Sequence, residues 1–120
     1  MGKITKYNDS QFYVDGKSFL KDVAKIVRNV TVDDKYSYGY DLIKLIRGSI
    51  VNFSKSFNNE DRQEKLKYGK ITKENFEEID ILLTLMKDVG VISVKQFMFL
   101  YKHFGLLNIQ LSGWCKKLED

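Results

Sequence analysis

Apolar residues recur at helical spacing through most of the chain after residue 16, in four stretches separated by turn-type residues. The first, from about Ser18 to Val30, gathers Phe19, Leu20, Val23, Ile26, Val27 and Val30 on one side and Lys17, Lys21, Lys25 and Arg28 on the other. Thr31-Val-Asp-Asp-Lys-Tyr-Ser37 then breaks the period. A second helix, from about Ser37 to Phe57, carries Leu42, Ile46, Ile50, Phe53 and Phe57 at steps of four and three, with Lys44, Arg47 and Lys55 on its outer side. Residues 60–71 are rich in charge, with Gly69 near their end, and read as a loop or a frayed helical extension. The third helix is predicted from Thr72, whose hydroxyl would cap it, with a core stripe of Phe76, Ile79, Leu82, Leu83 and Met86. Glu74, Glu77 and Glu78 then fall in its early turns, where the helix dipole favours anions.

Gly90 is predicted as the C-cap glycine of that helix. Ser93-Val-Lys-Gln96 follows as a capping box, with Ser93 covering the amide three residues on and Gln96 reaching back. The fourth helix, Val94 to Lys117, has Phe97, Leu100, Phe104, Leu107, Leu111, Trp114 and Leu118 at near-heptad spacing. Phe99, Leu106 and Ile109 point away from that stripe, and one bundle cannot bury both sides. This spare face predicts an oligomer contact, with Gly113 and Trp114 near it. Gly105 and Gly113 sit mid-helix at about 1 kcal/mol each relative to alanine, a penalty that close approach of another backbone would explain.

The pattern therefore predicts an all-α protomer, an antiparallel four-helix bundle over residues 18–118. Residues 1–17 are predicted as an N-terminal arm or tail. Ile4-Thr-Lys-Tyr7 and Gln11-Phe-Tyr-Val14 flank Asn8-Asp-Ser10, so a short β-hairpin fits there as well as a tail.

A chain of 120 residues, 43% hydrophobic and 30% charged, is in the range of one ordinary domain. Its apolar runs stop far short of the ~20 residues of a membrane span. The start Met1-Gly-Lys-Ile-Thr-Lys6 lacks the apolar core of a signal peptide, and the single Cys115 has no partner for a disulfide within the chain. A cytoplasmic location is expected. The net charge of +4 lies wholly in the first half: residues 1–57 hold ten Lys/Arg against six Asp/Glu, and residues 58–120 hold ten against ten. Lys17, Lys21, Lys25 and Arg28 on the first helix, with Lys44, Arg47 and Lys55 on the second, would suit a phosphate backbone. They would equally suit a solvated face. No stacking aromatic is evident among them, so base readout is not predicted.

Chemistry finds little to work with. One histidine, His103, and one cysteine, Cys115, make neither a zinc site nor a histidine-based triad, and no glycine pattern cradles a phosphate. His103 reads as a surface or interhelix polar residue and Cys115 as a small hydrophobe on the core side of the last helix. Glu74, Glu77, Glu78 and Asp80 lack the Glu-x-x-His pairs of di-metal bundles and read as a solvated helix start. No catalytic residue, metal or cofactor is expected, and the chain reads as a binding and assembly module.

Lys35-Tyr-Ser-Tyr-Gly39, Ile79 to Met86, Gly90-Val-Ile-Ser-Val-Lys-Gln-Phe97 and the ending Leu111-Ser-Gly-Trp-Cys-Lys116 occur in the order seen in a bacterial four-helix-bundle family. In these segments the chain resembles the accessory variability determinants of diversity-generating retroelements and their cousins, the proteins encoded in intervening sequences of 23S ribosomal RNA genes. The Leu-Ser-Gly-Trp ending is the most specific piece, and residues 1–17 lie outside the likeness. The resemblance implies a homopentameric barrel that associates with a reverse transcriptase and its RNA or RNA/DNA in mutagenic cDNA synthesis. The cousins would instead imply a self-assembling structural protein without a polymerase partner. Asp80 and Thr84 stand where the family's third helix commonly carries arginine, which leaves the first two helices as the expected basic surface.

Overall fold

A computed structural model describes residues 10–119, and every regular element among them is helical. Four long helices form the bundle: α1 (Gln11–Arg28), α2 (Tyr40–Asn58), α3 (Arg62–Asp88) and α4 (Val94–Glu119). Each packs on its neighbour in sequence, α4 closes back on α1, and the whole measures 47 × 24 × 21 Å. Residues 59–61, where a longer connection was expected, and 89–93 are short, and the longest connection is residues 29–39, between α1 and α2. Among the described residues no helix is long and apolar enough to cross a membrane.

The first helix begins earlier than its clearest apolar stripe. Ser10 caps it, its hydroxyl accepting from the Tyr13 amide at 3.2 Å, and Phe12, Gly16, Phe19, Val23 and Val27 form one buried line. Residues 11–17, expected in the arm, are thus the opening turns of the bundle. The Gln11–Val14 half of the possible hairpin is helical because Phe12 is needed in the core, and the Ile4–Tyr7 half lies outside the described residues.

Between α1 and α2 the chain makes one α-helical turn, Val32–Asp34, capped by Thr31, and then a π-helical segment, Lys35–Gly39. The wider turn is closed by the Tyr40 amide donating to the Lys35 carbonyl. It brings Gly39 against α1 so closely that a Cβ there would stand 2.6 Å from Val27 Cγ1. No side chain fits in that gap.

The charged stretch 62–71 is the start of α3, not a loop. Asp61 caps it through the Gln63 amide at 3.3 Å. Thr72, expected as the cap, is fully buried in mid-helix, and its hydroxyl donates to the Tyr68 carbonyl at 2.8 Å. The apolar period is faint here because the positions facing the core are Lys65, Gly69 and Thr72. They are small or amphipathic because Trp114 and Cys115 of α4 occupy the space: a Cβ on Gly69 would meet Cys115 Sγ at 3.4 Å and Ser56 Oγ at 3.5 Å. Ser56, wholly buried, donates to the Lys65 carbonyl at 2.6 Å and accepts from Trp114 Nε1 at 2.8 Å. Lys65 Nζ in turn donates to the Phe57 carbonyl at 3.0 Å and lies 5.3 Å above the Trp114 ring.

The remaining punctuation matches expectation. Gly90 has φ +83°, with the Val91 amide donating back to the Met86 carbonyl at 2.8 Å. Both bonds of the capping box form: the Gln96 amide to Ser93 Oγ at 3.0 Å and the Ser93 amide to Gln96 Oε1 at 2.9 Å. Changing Gly39 to Ala should destabilise the bundle by about 1–3 kcal/mol, the usual penalty of overpacking. Adding Val27→Ala should recover part of that loss in urea unfolding, since it removes the methyls that collide. Equal stability of Gly39→Ala and the parent would mean that the α1–α2 contact is slack.

Candidate nucleic-acid interface

The seven cations predicted as a basic surface are all exposed, but the fold does not keep them together. Lys17, Lys21, Lys25 and Arg28 run along the outside of α1. Gly16 lies under the Ile50 side chain and Gly39 under Val27, so α2 runs antiparallel beside this row. Arg47, one turn before Ile50, therefore lies level with the stretch between Lys17 and Lys21. Lys44 turns the other way, into a groove between α2 and α3. Lys55 sits 5.3 Å above the Tyr68 ring of α3. The coherent surface is the α1 row with Arg47.

What makes the row strongly cationic is where the acids of α1 point. Asp15 accepts from Gln11 Nε2 at 2.8 Å and from Gln110 Nε2 of α4 at 2.7 Å. Asp22 Oδ2 lies 3.2 Å from His103 Nδ1, also on α4. Both carboxylates are thus held on the α4 side of the helix. Among the described residues, none of the four α1 cations has a carboxylate within ion-pair distance. These contacts also give His103 the interhelix polar role expected of it.

The row ends on a feature that sequence reading missed. Tyr36 is 71% exposed and packs edge-on against Tyr40, ring centroids 5.2 Å apart. The contact of Gly39 with Val27 sets this pair near the Arg28 end, and Tyr40 shares the outer side of α2 with Arg47. The signal was present in the i, i+4 spacing of the two tyrosines, but the π-helical turn that carries them is invisible in a periodic pattern. Cations that follow a phosphate chain, next to aromatic faces that stack on bases, make a surface suited to single-stranded nucleic acid.

A second uncovered surface lies on α4. Phe99, Leu106 and Ile109 are 56%, 53% and 71% exposed, and a Cβ on Gly113 or Gly105 would meet nothing within 4 Å. The two glycines are therefore not required by packing within the protomer. Trp114 packs within the protomer, as its place in the core stripe predicts: its partly buried ring lies on Phe53 and Phe57 of α2, with centroids 5.8 and 5.5 Å away.

The acidic set is divided and does not open a helix, because α3 begins at Arg62. Asp80 faces α4 and accepts from the Tyr101 hydroxyl at 2.9 Å, a bond that holds the phenol above its ordinary pKa. Glu78 lines the groove on the α2 side. No group of three or more His, Cys, Asp and Glu among the described residues is placed to hold a metal ion. Burial, with Glu119 nearby, pushes the Cys115 thiol up against the opposing pull of Lys73. The neutral form, a poor nucleophile, is therefore favoured. Alkylation of Cys115 at neutral pH should be slow in the native protein and should accelerate many-fold in denaturant. Rapid native labelling would contradict its place in the core. Comparison with family models, with characterised proteins and with solved structures found no match.

Proposed function

We propose that this protein is a non-catalytic, self-associating module of the cytoplasm that binds single-stranded nucleic acid together with a polymerase. The reading that best unites its sequence segments and surfaces is that of an accessory protein to the reverse transcriptase of a diversity-generating retroelement, acting as a homopentamer on RNA or an RNA/cDNA intermediate. The observation that carries it is the α1 row: four cations with no carboxylate within ion-pair distance among the described residues, in line with Arg47 and ending on the exposed Tyr36–Tyr40 pair. The carboxylates of α1 are engaged by α4, so they do not face an anionic chain lying along the row. The cations keep their water on folding, which lets them meet phosphates without a structural penalty.

Two sets of substitutions separate the components. Lys21→Glu, Lys25→Glu and Arg28→Glu together should weaken single-stranded RNA binding and flatten its salt dependence, by about 0.7 of log–log slope for each phosphate that is no longer neutralised. Helicity and particle mass should stay as in the parent. The matched control is Lys67→Glu, Lys70→Glu and Lys73→Glu, all exposed on α3. Equal weakening by both triple variants would refute a localised site and leave only the general positive field.

Tyr36→Ala with Tyr40→Ala should lower affinity without changing the salt slope, since stacking is worth about 1–3 kcal/mol per base. Fluorescence anisotropy across a salt series reads both quantities. Unchanged affinity would remove the tyrosines from the site. A reverse-transcriptase gene beside this one, whose product co-purifies with the parent and not with the charge-reversed variant, is the outcome expected for the polymerase partner. A gene lying instead within a 23S ribosomal RNA sequence would favour the structural, polymerase-free reading.

A further inference from the structure

We propose that the groove between α2 and α3 receives the outer face of α4 from a second copy of this chain, so that copies join head to tail. The inference rests on the self-association in the reading above and names the missing half of its contact.

The groove encloses about 600 Å³ between the two helices. Leu45, Ile81 and Leu85 give it apolar walls, and Ile81 is left 68% exposed. Gly48 also lines it, where an added Cβ would meet only Asn75 Nδ2 at an ordinary 3.6 Å. Packing within the protomer thus does not require a glycine there, whereas an incoming aromatic or aliphatic side chain needs the room. The outer face of α4 supplies such side chains in Phe99, Leu106 and Ile109. The two surfaces lie on different helices and do not overlap.

Charge fixes the pairing. From Val94 to Leu118, α4 contains no acid, and its exposed line alternates Lys95, Phe99, Lys102 and Leu106. The α3 side of the groove carries the opposite charge in Glu78, which precedes Ile81 and Leu85 at steps of three and four. On the α2 rim Asp41 and Lys44 offset one another, which leaves the groove net negative. Cations flanking an apolar ridge thus meet carboxylates flanking an apolar groove. An α4-to-α4 contact would instead set lysines against lysines. Two different surfaces in head-to-tail contact make a heterologous interface, which closes into a ring or runs on as a chain.

Mixing experiments on the full chain test this by native mass spectrometry, with circular dichroism to verify folding. The parent should be oligomeric. Ile81→Glu with Leu85→Glu, and separately Phe99→Glu with Leu106→Glu, should each give helical monomers. Mixed together, the two variants should form a particle of two chains, one of each kind, because one intact α4 face then meets one intact groove. Lys102→Glu should weaken assembly and Glu78→Lys in the same chain should restore it. If the Ile81/Leu85 variant loses helicity, Gly48→Leu fills the groove with little strain and should dissociate the oligomer in its place. A groove variant of parental mass, or no mixed pair, would overturn the head-to-tail contact while self-association through α4 stands. A helix of the polymerase as the true occupant would show as groove variants that keep their mass but no longer bind the enzyme, and would overturn it too. A monomeric parent would overturn self-association itself.

Discussion

A chain of aromatic contacts among five phenylalanines, two from α1 and one from each other helix, ties the four helices together. Phe12 of α1 stacks on Phe53 of α2 with centroids 3.8 Å apart and lies 6.0 Å from Phe76 of α3. Phe76 meets Phe104 of α4 at 5.0 Å, and Phe19 of α1 meets the same ring at 6.1 Å. Each of these rings is nearly or fully buried. Loss of a buried phenylalanine typically costs about 3–5 kcal/mol. Domains of this size have total stabilities of only about 5–15 kcal/mol. No helix can be displaced without breaking this set, so the directions in which the outer faces point follow from it.

Two smaller knots fix the ends of the bundle. At one, Ser56, Lys65 and Trp114 satisfy one another's polar groups inside an otherwise apolar environment. A buried hydroxyl without partners would be strongly destabilising, and Ser56 has both a donor and an acceptor role filled. At the other, the π-helical turn lets Gly39 press onto Val27 and sets the angle at which α2 leaves. The most specific segments of the sequence, Lys35–Gly39 and Leu111–Lys116, are thus largely structural. Only Tyr36 among their large aromatic residues stands mostly in solvent.

The surfaces that remain are of three kinds, and their separation follows from how side chains on α1 and α3 divide. The carboxylates of α1 are drawn to α4, leaving its outer side cationic. On α3, Asp80 turns towards α4 and Glu78 towards α2, which makes one groove acidic. On α4 the core line is apolar and the outer line carries Phe99, Leu106 and Ile109 between lysines, and the protomer has helices enough to cover only the first. This division suits an anionic chain on α1 and another protein surface on α4 and the groove.

Periodicity in the sequence determined the four helices, the class of fold, the Gly90 stop and the Ser93–Gln96 start, because each rests on contacts within a few residues of chain. It also determined that α4 has an apolar face too many, since a helix's two sides can be compared without knowing its neighbours. The beginnings of α1 and α3 were decided by tertiary structure. Residues 11–17 become helical because Phe12 completes the aromatic set, and residues 62–71 because Gly69 and Thr72 make room for Trp114 and Cys115. Both reasons lie many residues away in sequence and leave no local period. The same holds for the cations. The sequence places seven of them on two outer sides, but only the packing of α1 against α2, and of α2 against α3, separates Lys44 and Lys55 from the other five. The position of a side chain on its own helix is local information, whereas its neighbours across an interface depend on how the helices are packed together.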